Sequence, residues 1–167
     1  MGVAQRIAEH LAGSPSELIT FIIAMLPIVE LRGAIPWALT LGGLEWPQAV
    51  TIAIIGNLVP IPPILLLLGP VSRLLSRWPL FDRFFQWLFA RTRRKGRAIE
   101  RYQALGLILF VGIPIPGTGA WTGSLAAFVF GIPFRRAMGC ILIGVFLAAV
   151  IVTLSTLGVI GVVRLIL

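Results

Sequence analysis

Charge is scarce in this chain. Of its 167 residues 12% are Asp, Glu, Lys or Arg, while 58% are hydrophobic and mean hydropathy is +1.01. Soluble domains run nearer a quarter charged, so the expected solvent is a lipid bilayer. Cysteine and histidine occur once each. Cys140 cannot form an internal disulfide, and in its apolar run it reads as a small buried side chain. His10 stands alone in a polar N-terminal segment, so neither a metal site nor a cofactor is expected. H-E-x-x-H, G-x-S-x-G and a P-loop with its lysine are all missing, and no histidine falls in an apolar block. An enzyme is therefore not expected. A cleaved leader is not expected either: no small-residue cleavage pattern follows apolar residues 18–29, and Glu30 interrupts the run.

What charge there is falls in few places. Residues 73–101 hold nine Arg and Lys against Asp82 and Glu100, which is seven of the eight net positive charges. Pro79 is placed to start a helix there. Phe81, Phe84, Phe85 and Leu88 recur at helical spacing opposite Asp82, Arg83 and Gln86. This pattern predicts an interfacial amphipathic helix on an anionic leaflet, followed by a basic loop. The aromatics form a stripe and do not alternate with the basic residues, which argues against nucleic acid.

Glu30 and Arg32 are the other notable charges. Residues 18–29 and 33–44 around them carry none. Ionisable side chains inside a membrane are costly and mark functional sites by default. Pro27, Gly33 and Pro36 bracket the pair, so the block at 17–43 is expected to break between Pro27 and Pro36. Each arm would then hold about 13 residues, or roughly 20 Å of helix, too short for a core about 30 Å thick. A re-entrant hairpin fits these lengths. The plainer reading of Glu30 and Arg32 is a local ion pair, which a break in the helix would permit.

The same plan recurs downstream. Residues 46–72 are charge-free and long enough to span, with Gly56 and Asn57 at the centre and Pro60, Pro62 and Pro63 kinking the second half. Residues 102–134 are charge-free, with I-P-I-P-G-T-G-A-W-T-G at 113–123, and 137–163 form another charge-free run. An offset of 88 aligns the halves without gaps. It pairs Gly43 with Gly131, Trp46 with Phe134, Ala38 with Ala126, Ala49 with Ala137, Gly56 with Gly144, and Glu30 with Thr118. Basic loops stay cytoplasmic. Residues 73–101 and Arg135–Arg136 then share the inside, and both termini lie outside, only if 102–134 enters and returns.

The expected architecture is an all-α integral membrane protein of one domain, 1–167. It has an N-terminal helix at 1–16, a first repeat at 17–72, a basic amphipathic linker at 73–101 and a second repeat at 102–166. Each repeat is a re-entrant helical hairpin plus a transmembrane helix, inverted relative to the other. Inverted-repeat transporters bind substrate where such broken helices meet. There Arg32 offers a planar fork for phosphate or carboxylate. Gly117, Thr118 and Gly119 offer backbone N–H groups at a turn that suits anions. Thr118, Thr122 and Ser124 add hydroxyls, and Trp37 and Trp121 are placed to flank an access path or face lipid. Glu30 can titrate, with burial and a neighbouring guanidinium acting on it in opposite senses, which suits proton coupling. The plainer reading of G-T-G-A-W-T-G is close helix packing through small residues.

The motifs E-L-R-G-A-I-P at 30–36 and P-I-P-G-T-G-A-W-T-G at 114–123, each opening a hairpin-plus-span unit, resemble the small multidrug export protein family over roughly residues 17–166. That family is more distantly similar to the DedA group. The resemblance implies two re-entrant hairpins from opposite sides and movement of lipids, polyprenyl phosphate carriers among them. Glu30 matches the acidic residue of that group's first hairpin. Its second hairpin carries arginines around a Phe–x–Pro core, whereas F-V-G-I-P-I-P-G-T-G at 110–119 keeps Gly and Pro and has neither arginine. Arg32 would then supply the cation from the other hairpin.

The function expected is transport of an anionic amphiphile such as a lipid-linked phosphate, coupled to protons or sodium, through Glu30, Arg32, Gly117, Thr118, Gly119, Trp121 and Thr122. The alternatives are efflux of lipophilic cations and a non-transporting membrane assembly factor. Membrane lipids are the expected partners, the anionic leaflet among them through residues 73–101, in the inner membrane of a prokaryotic-type cell. Homo-oligomerisation stays open.

Overall fold

The computed structural model describes residues 14–75, 79–95, 103–115 and 117–166. Most of the expected N-terminal helix, residues 1–13, lies outside them, as do the basic loop at 96–102 and the side chains of Phe81, Phe85 and Leu88. The described residues form eight helices: α1 (Ser16–Met25), α2 (Glu30–Thr40), α3 (Trp46–Leu58), α4 (Ile61–Leu75), α5 (Pro79–Lys95), α6 (Ala104–Gly112), α7 (Ala120–Val129) and α8 (Phe134–Ile166).

The first hairpin, α1 and α2, breaks at residues 26–29, earlier and more sharply than expected. Glu30 is the first residue of α2, and Gly33 and Pro36 lie inside that helix. Pro36 has no N–H for the Arg32 carbonyl, yet α2 continues to Thr40, whose hydroxyl donates to the Pro36 carbonyl at 2.7 Å. The span at 46–72 is interrupted at 59–60, just before the prolines of α4. In the second hairpin, α6 and α7, the described residues between the helices, 113–115 and 117–119, are irregular, and α8 then runs for 33 residues, about 50 Å of helix.

The offset of 88 holds at the level of elements. It carries the start of α1 onto that of α6 and the start of α3 onto that of α8. Gly43 and Gly131 share φ of 66°. Ala38, Ala126, Ala49 and Ala137 are all fully buried, and Gly56 and Gly144 are buried too. In the first half α1, α2 and α3 pack on one another, and in the second half α6, α7 and α8 do the same. Helix α8 also packs on α2 and α3, which joins the halves.

The core is built from small side chains. Ala24, Ala34, Ala53, Ala120, Ala127, Ala148 and Ala149 are at most 2% exposed, while Ile28, Leu41, Leu154 and Val159 are largely bare. Water would favour the reverse. In lipid there is no hydrophobic drive between helices, and small residues that admit close backbone approach hold them together. Trp46–Ser72 and Phe134–Val163 are long and apolar enough to cross a membrane. Cys140 is buried and free.

Helix α5 begins at Pro79 as its sequence predicts, but it packs against α7 and α4. Phe89 meets Phe128 with ring centroids 5.6 Å apart. Phe84 and Trp87 point outward, and the Arg91 guanidinium lies 5.4 Å over the Trp87 ring. The linker helix therefore leans on the second hairpin along one face and keeps aromatics exposed on another.

Candidate functional site

Glu30 stands at the turn of the first hairpin and reaches the second. Its side chain is 5% exposed. The N–H of Trp121 donates to Oε1 at 3.2 Å and the N–H of Ala120 to Oε2 at 3.4 Å. These are first-turn amides of α7, which no intrahelical carbonyl can satisfy. A helix N-terminus also carries partial positive charge and favours an anion. The backbone at Glu30 is left-handed, with φ of 52°, a conformation that costs a non-glycine residue about 1–3 kcal/mol. Hydrogen bonds to a carboxylate are among the strong ones and offset that cost.

Arg32 crosses to the same turn by another route. Its Nη1 donates to the Ile115 carbonyl at 2.6 Å, and its Nη2 to the Ile113 carbonyl at 3.4 Å and to Thr118 Oγ1 at 3.2 Å. Thr118 Oγ1 lies 3.0 Å from the Ile113 carbonyl and 2.8 Å from that of Ile115, one of which takes its proton. The guanidinium fork thus ties together Ile113, Ile115 and Thr118. Its Nε is buried and has no protein partner. None of these bonds joins Glu30 to Arg32: each side chain is held by the opposite hairpin.

The sequence-predicted residues Glu30, Arg32, Thr118, Gly119 and Trp121 are therefore brought together, with three adjustments. The donors facing the anion belong to Ala120 and Trp121, whereas the Thr118 N–H is used within the turn, on Ile115. Trp121 does more than flank: its indole N–H donates to the Met25 carbonyl at 3.2 Å, fixing α7 to the end of α1. Ser124 stays out of the site, donating to the Ala120 carbonyl at 2.8 Å within its own helix.

Gly119 is required at its position. Its φ is 143°, and a Cβ there would run into the Glu30 carboxylate. Gly119→Ala is expected to lower stability by roughly 1–3 kcal/mol, through backbone strain and displacement of Glu30. Thermal unfolding in detergent checks this, and an unchanged midpoint would contradict the contact.

Two cavities meet at this point. One, about 450 Å³, is lined by Glu30, Arg32, Gly117, Thr118 and Thr122 together with Pro27. The other, about 490 Å³, is an apolar groove between Pro27, Leu67, Leu68, Trp121, Thr122 and Leu125. Pro27 and Thr122 belong to both.

One residue of the site escaped sequence reasoning. Asn57, in the middle of α3, is fully buried with its amide beside the Glu30 carboxyl, and neither its Oδ1 nor its Nδ2 has a hydrogen-bond partner within 3.5 Å. An amide in an apolar run was the one available signal. Among the described residues no group of His, Cys, Asp and Glu could hold a metal ion. No curated protein and no solved structure matches the chain. Over residues 30–151, more than half its length and inclusive of both hairpin motifs, the chain matches the family described as "Putative small multi-drug export protein", and it belongs to that family.

Proposed function

We propose that this protein is a small proton-coupled membrane transporter whose substrate is an anionic amphiphile such as a lipid-linked phosphate. The observation that carries this reading is the shared wall of the two cavities. A phosphate in the polar cavity would meet Arg32 and Thr118 in its wall, while an apolar chain would lie in the groove beyond Pro27 and Thr122. Arginine suits phosphate because its planar fork matches the oxygens and its charge is permanent.

The reading takes both hairpins as re-entrant and the repeats as inverted, with residues 73–101 cytoplasmic. In support, α1 and α2 have 10 and 11 residues, or about 15 Å each, half of a 30 Å core. Their tips would meet those of α6 and α7 near the midplane, where inverted-repeat transporters bind. Broken helices at that depth are what the resemblance to the DedA group implies.

The family description favours a second reading, efflux of lipophilic cations with Glu30 as the exchanged carboxylate. The local field argues against it. Two amides at a helix N-terminus already answer the Glu30 charge, and Arg32 adds a cation nearby. A drug cation or sodium would gain little there, whereas a proton can still add.

Reconstitution tests the choice. Proteoliposomes would carry a fluorescent prenyl phosphate, with movement read by quenching from outside. A pH gradient is expected to speed that movement, a protonophore to remove the effect, and tetraphenylphosphonium to stay put. Movement of the cation alone would favour the second reading, and movement of neither would end the transporter reading.

A further inference from the structure

We propose that the N-terminus of α7, with Arg32, is the anion-binding site of this protein, that Glu30 occupies it as a tethered anion, and that Asn57 receives the Glu30 carboxyl once it is protonated. The ligand class is a phosphate ester or carboxylate carried on an apolar chain. The proposal rests on the transport reading above and adds the chemistry by which proton and substrate are linked.

The first ground is what Glu30 does. A ten-residue helix points its free amides at the junction of the two hairpins, and the group they hold is a side chain of the protein itself. Whatever anion binds there must displace that carboxylate. A second anion beside a charged Glu30 would meet repulsion in a medium of low dielectric. A neutral Glu30 removes the repulsion and gives up its claim on the amides.

The second ground is Asn57. A buried amide that makes no hydrogen bond within 3.5 Å is costly, so the Glu30 carboxyl beside it should meet it more closely in some state. A carboxylate only accepts, so it could satisfy Nδ2 and never Oδ1. A protonated carboxyl has one donor and one acceptor. It can donate to Oδ1 and accept from Nδ2 together, which is the complement of Asn57. The amide is thus matched to the neutral form of the residue it faces.

The surroundings leave Glu30 as the group that titrates. Arg32 is the charged residue that acts on it. α7, α6 and the chain at 113–119 carry no ionisable side chain, and neither does α3. α1 has only Glu17, in its first turn at the far end. α8 brings Arg135 and Arg136 at its start, and Arg136 bonds Gln103. In the cycle that follows, a proton adds to Glu30 from the side that supplies substrate, the carboxyl moves to Asn57, and the phosphate takes the α7 amides beside the Arg32 guanidinium. Release on the other side returns the proton to water and Glu30 to α7.

Titration calorimetry of the full-length protein in detergent tests this with a short-chain phosphatidylglycerol. Its phosphodiester keeps one fixed charge, so the probe takes up no proton. In buffers of different ionisation enthalpy, binding should take up close to one proton per ligand above the titration of Glu30. Affinity should there fall about tenfold per pH unit, as one-proton linkage requires. Glu30→Gln should bind at least as tightly, with proton uptake gone. Asn57→Leu should weaken binding about tenfold, the worth of a buried hydrogen bond or two, yet have no effect in a Glu30→Ala background. Its own unfolding midpoint should hold or rise, since it removes an unpartnered buried amide.

Absence of probe binding, binding without proton uptake, or weaker binding by Glu30→Gln would each overturn the proposal. Equal weakening by Asn57→Leu in both backgrounds would do so as well. Probe binding with proton uptake, but no movement in liposomes, would instead sink the transport reading and leave the anion site standing. Movement without proton uptake on binding would do the opposite.

Discussion

Arg32→Ala is expected to abolish prenyl phosphate movement and to lower stability by about 2–3 kcal/mol. Both effects come from the same atoms. The guanidinium holds the carbonyls of Ile113 and Ile115 and the hydroxyl of Thr118. Hydrogen bonds from a charged donor contribute about 1.5–3 kcal/mol each when partly withdrawn from water, and their loss leaves acceptors unpaired. Removal also takes away the one cation inside the first hairpin. The informative comparison is Arg32→Lys. An ammonium on a flexible stem keeps the charge and can reach one carbonyl, but its compact point charge does not reproduce the planar fork that spans the Ile113 and Ile115 carbonyls and faces the cavity. Arg32→Lys should therefore keep most of the stability and lose most of the transport. Thr118→Val gives the reciprocal case: it removes the hydroxyl that Arg32 Nη2 contacts and leaves the cation in place, so stability should fall more than transport. If transport follows the unfolding midpoint across all three variants, Arg32 serves as a clamp on Ile113, Ile115 and Thr118 and does not handle substrate.

Much of this arrangement was legible in the sequence, for a physical reason. A charge in an apolar run must find a partner or line a cavity, and Gly117, Thr118 and Gly119 marked the other place where regular helix fails. That Glu30 and Arg32 reach that turn follows from the offset of 88 and from both hairpins being short. The helix-level match of Gly43 with Gly131 and of Trp46 with Phe134 had the same origin, because identical turn geometry selects for glycine at positive φ.

Other features were not legible. The two charges at i and i+2 suggested each other as partners, while the bonds in fact cross 81 to 91 residues of chain, a separation without local signature. The block at 17–43 was expected to break between Pro27 and Pro36, whereas Pro36 lies inside α2. Inside a membrane bundle neighbouring groups compensate for a lost backbone bond, and here the chain turns earlier, at residues 26–29. Asn57 sits in a run whose hydrophobicity is nearly uniform around the helix, so no periodicity showed that it faces Glu30. The outward stripe expected of α5 missed Phe89, which meets Phe128, because a linker can use one aromatic face on protein as readily as on lipid.

The same substitution, glycine to alanine, should have opposite signs at two places on α8, five residues apart. At Gly139 an added Cβ meets nothing within 4 Å. Alanine there removes backbone freedom from the unfolded chain and should be neutral or stabilising by about 0.5–1 kcal/mol. At Gly144 the Cβ would lie 2.9 Å from the Ile108 carbonyl oxygen and 2.7 Å from Val111 Cβ, so α6 and α8 must part. The obstacle is backbone, which cannot swing aside as a side-chain tip can. Overpacking of this kind costs about 1–3 kcal/mol, and it outweighs the gain in helix propensity. Gly56 offers the counterpart in the first half. Its Cβ would lie 2.6 Å from the Phe21 carbonyl oxygen and 3.0 Å from Ala24 Cβ, where α1 crosses α3. Gly56→Ala should therefore be destabilising by a similar amount to Gly144→Ala, since both positions hold a short hairpin arm against the helix that follows. Unfolding midpoints of the three variants in one detergent decide the matter. If Gly144→Ala proved as stable as Gly139→Ala, the close approach of α6 to α8 would be wrong. If Gly144→Ala were costly and Gly56→Ala free, the two halves would pack by different rules and the repeat would be one of sequence register alone.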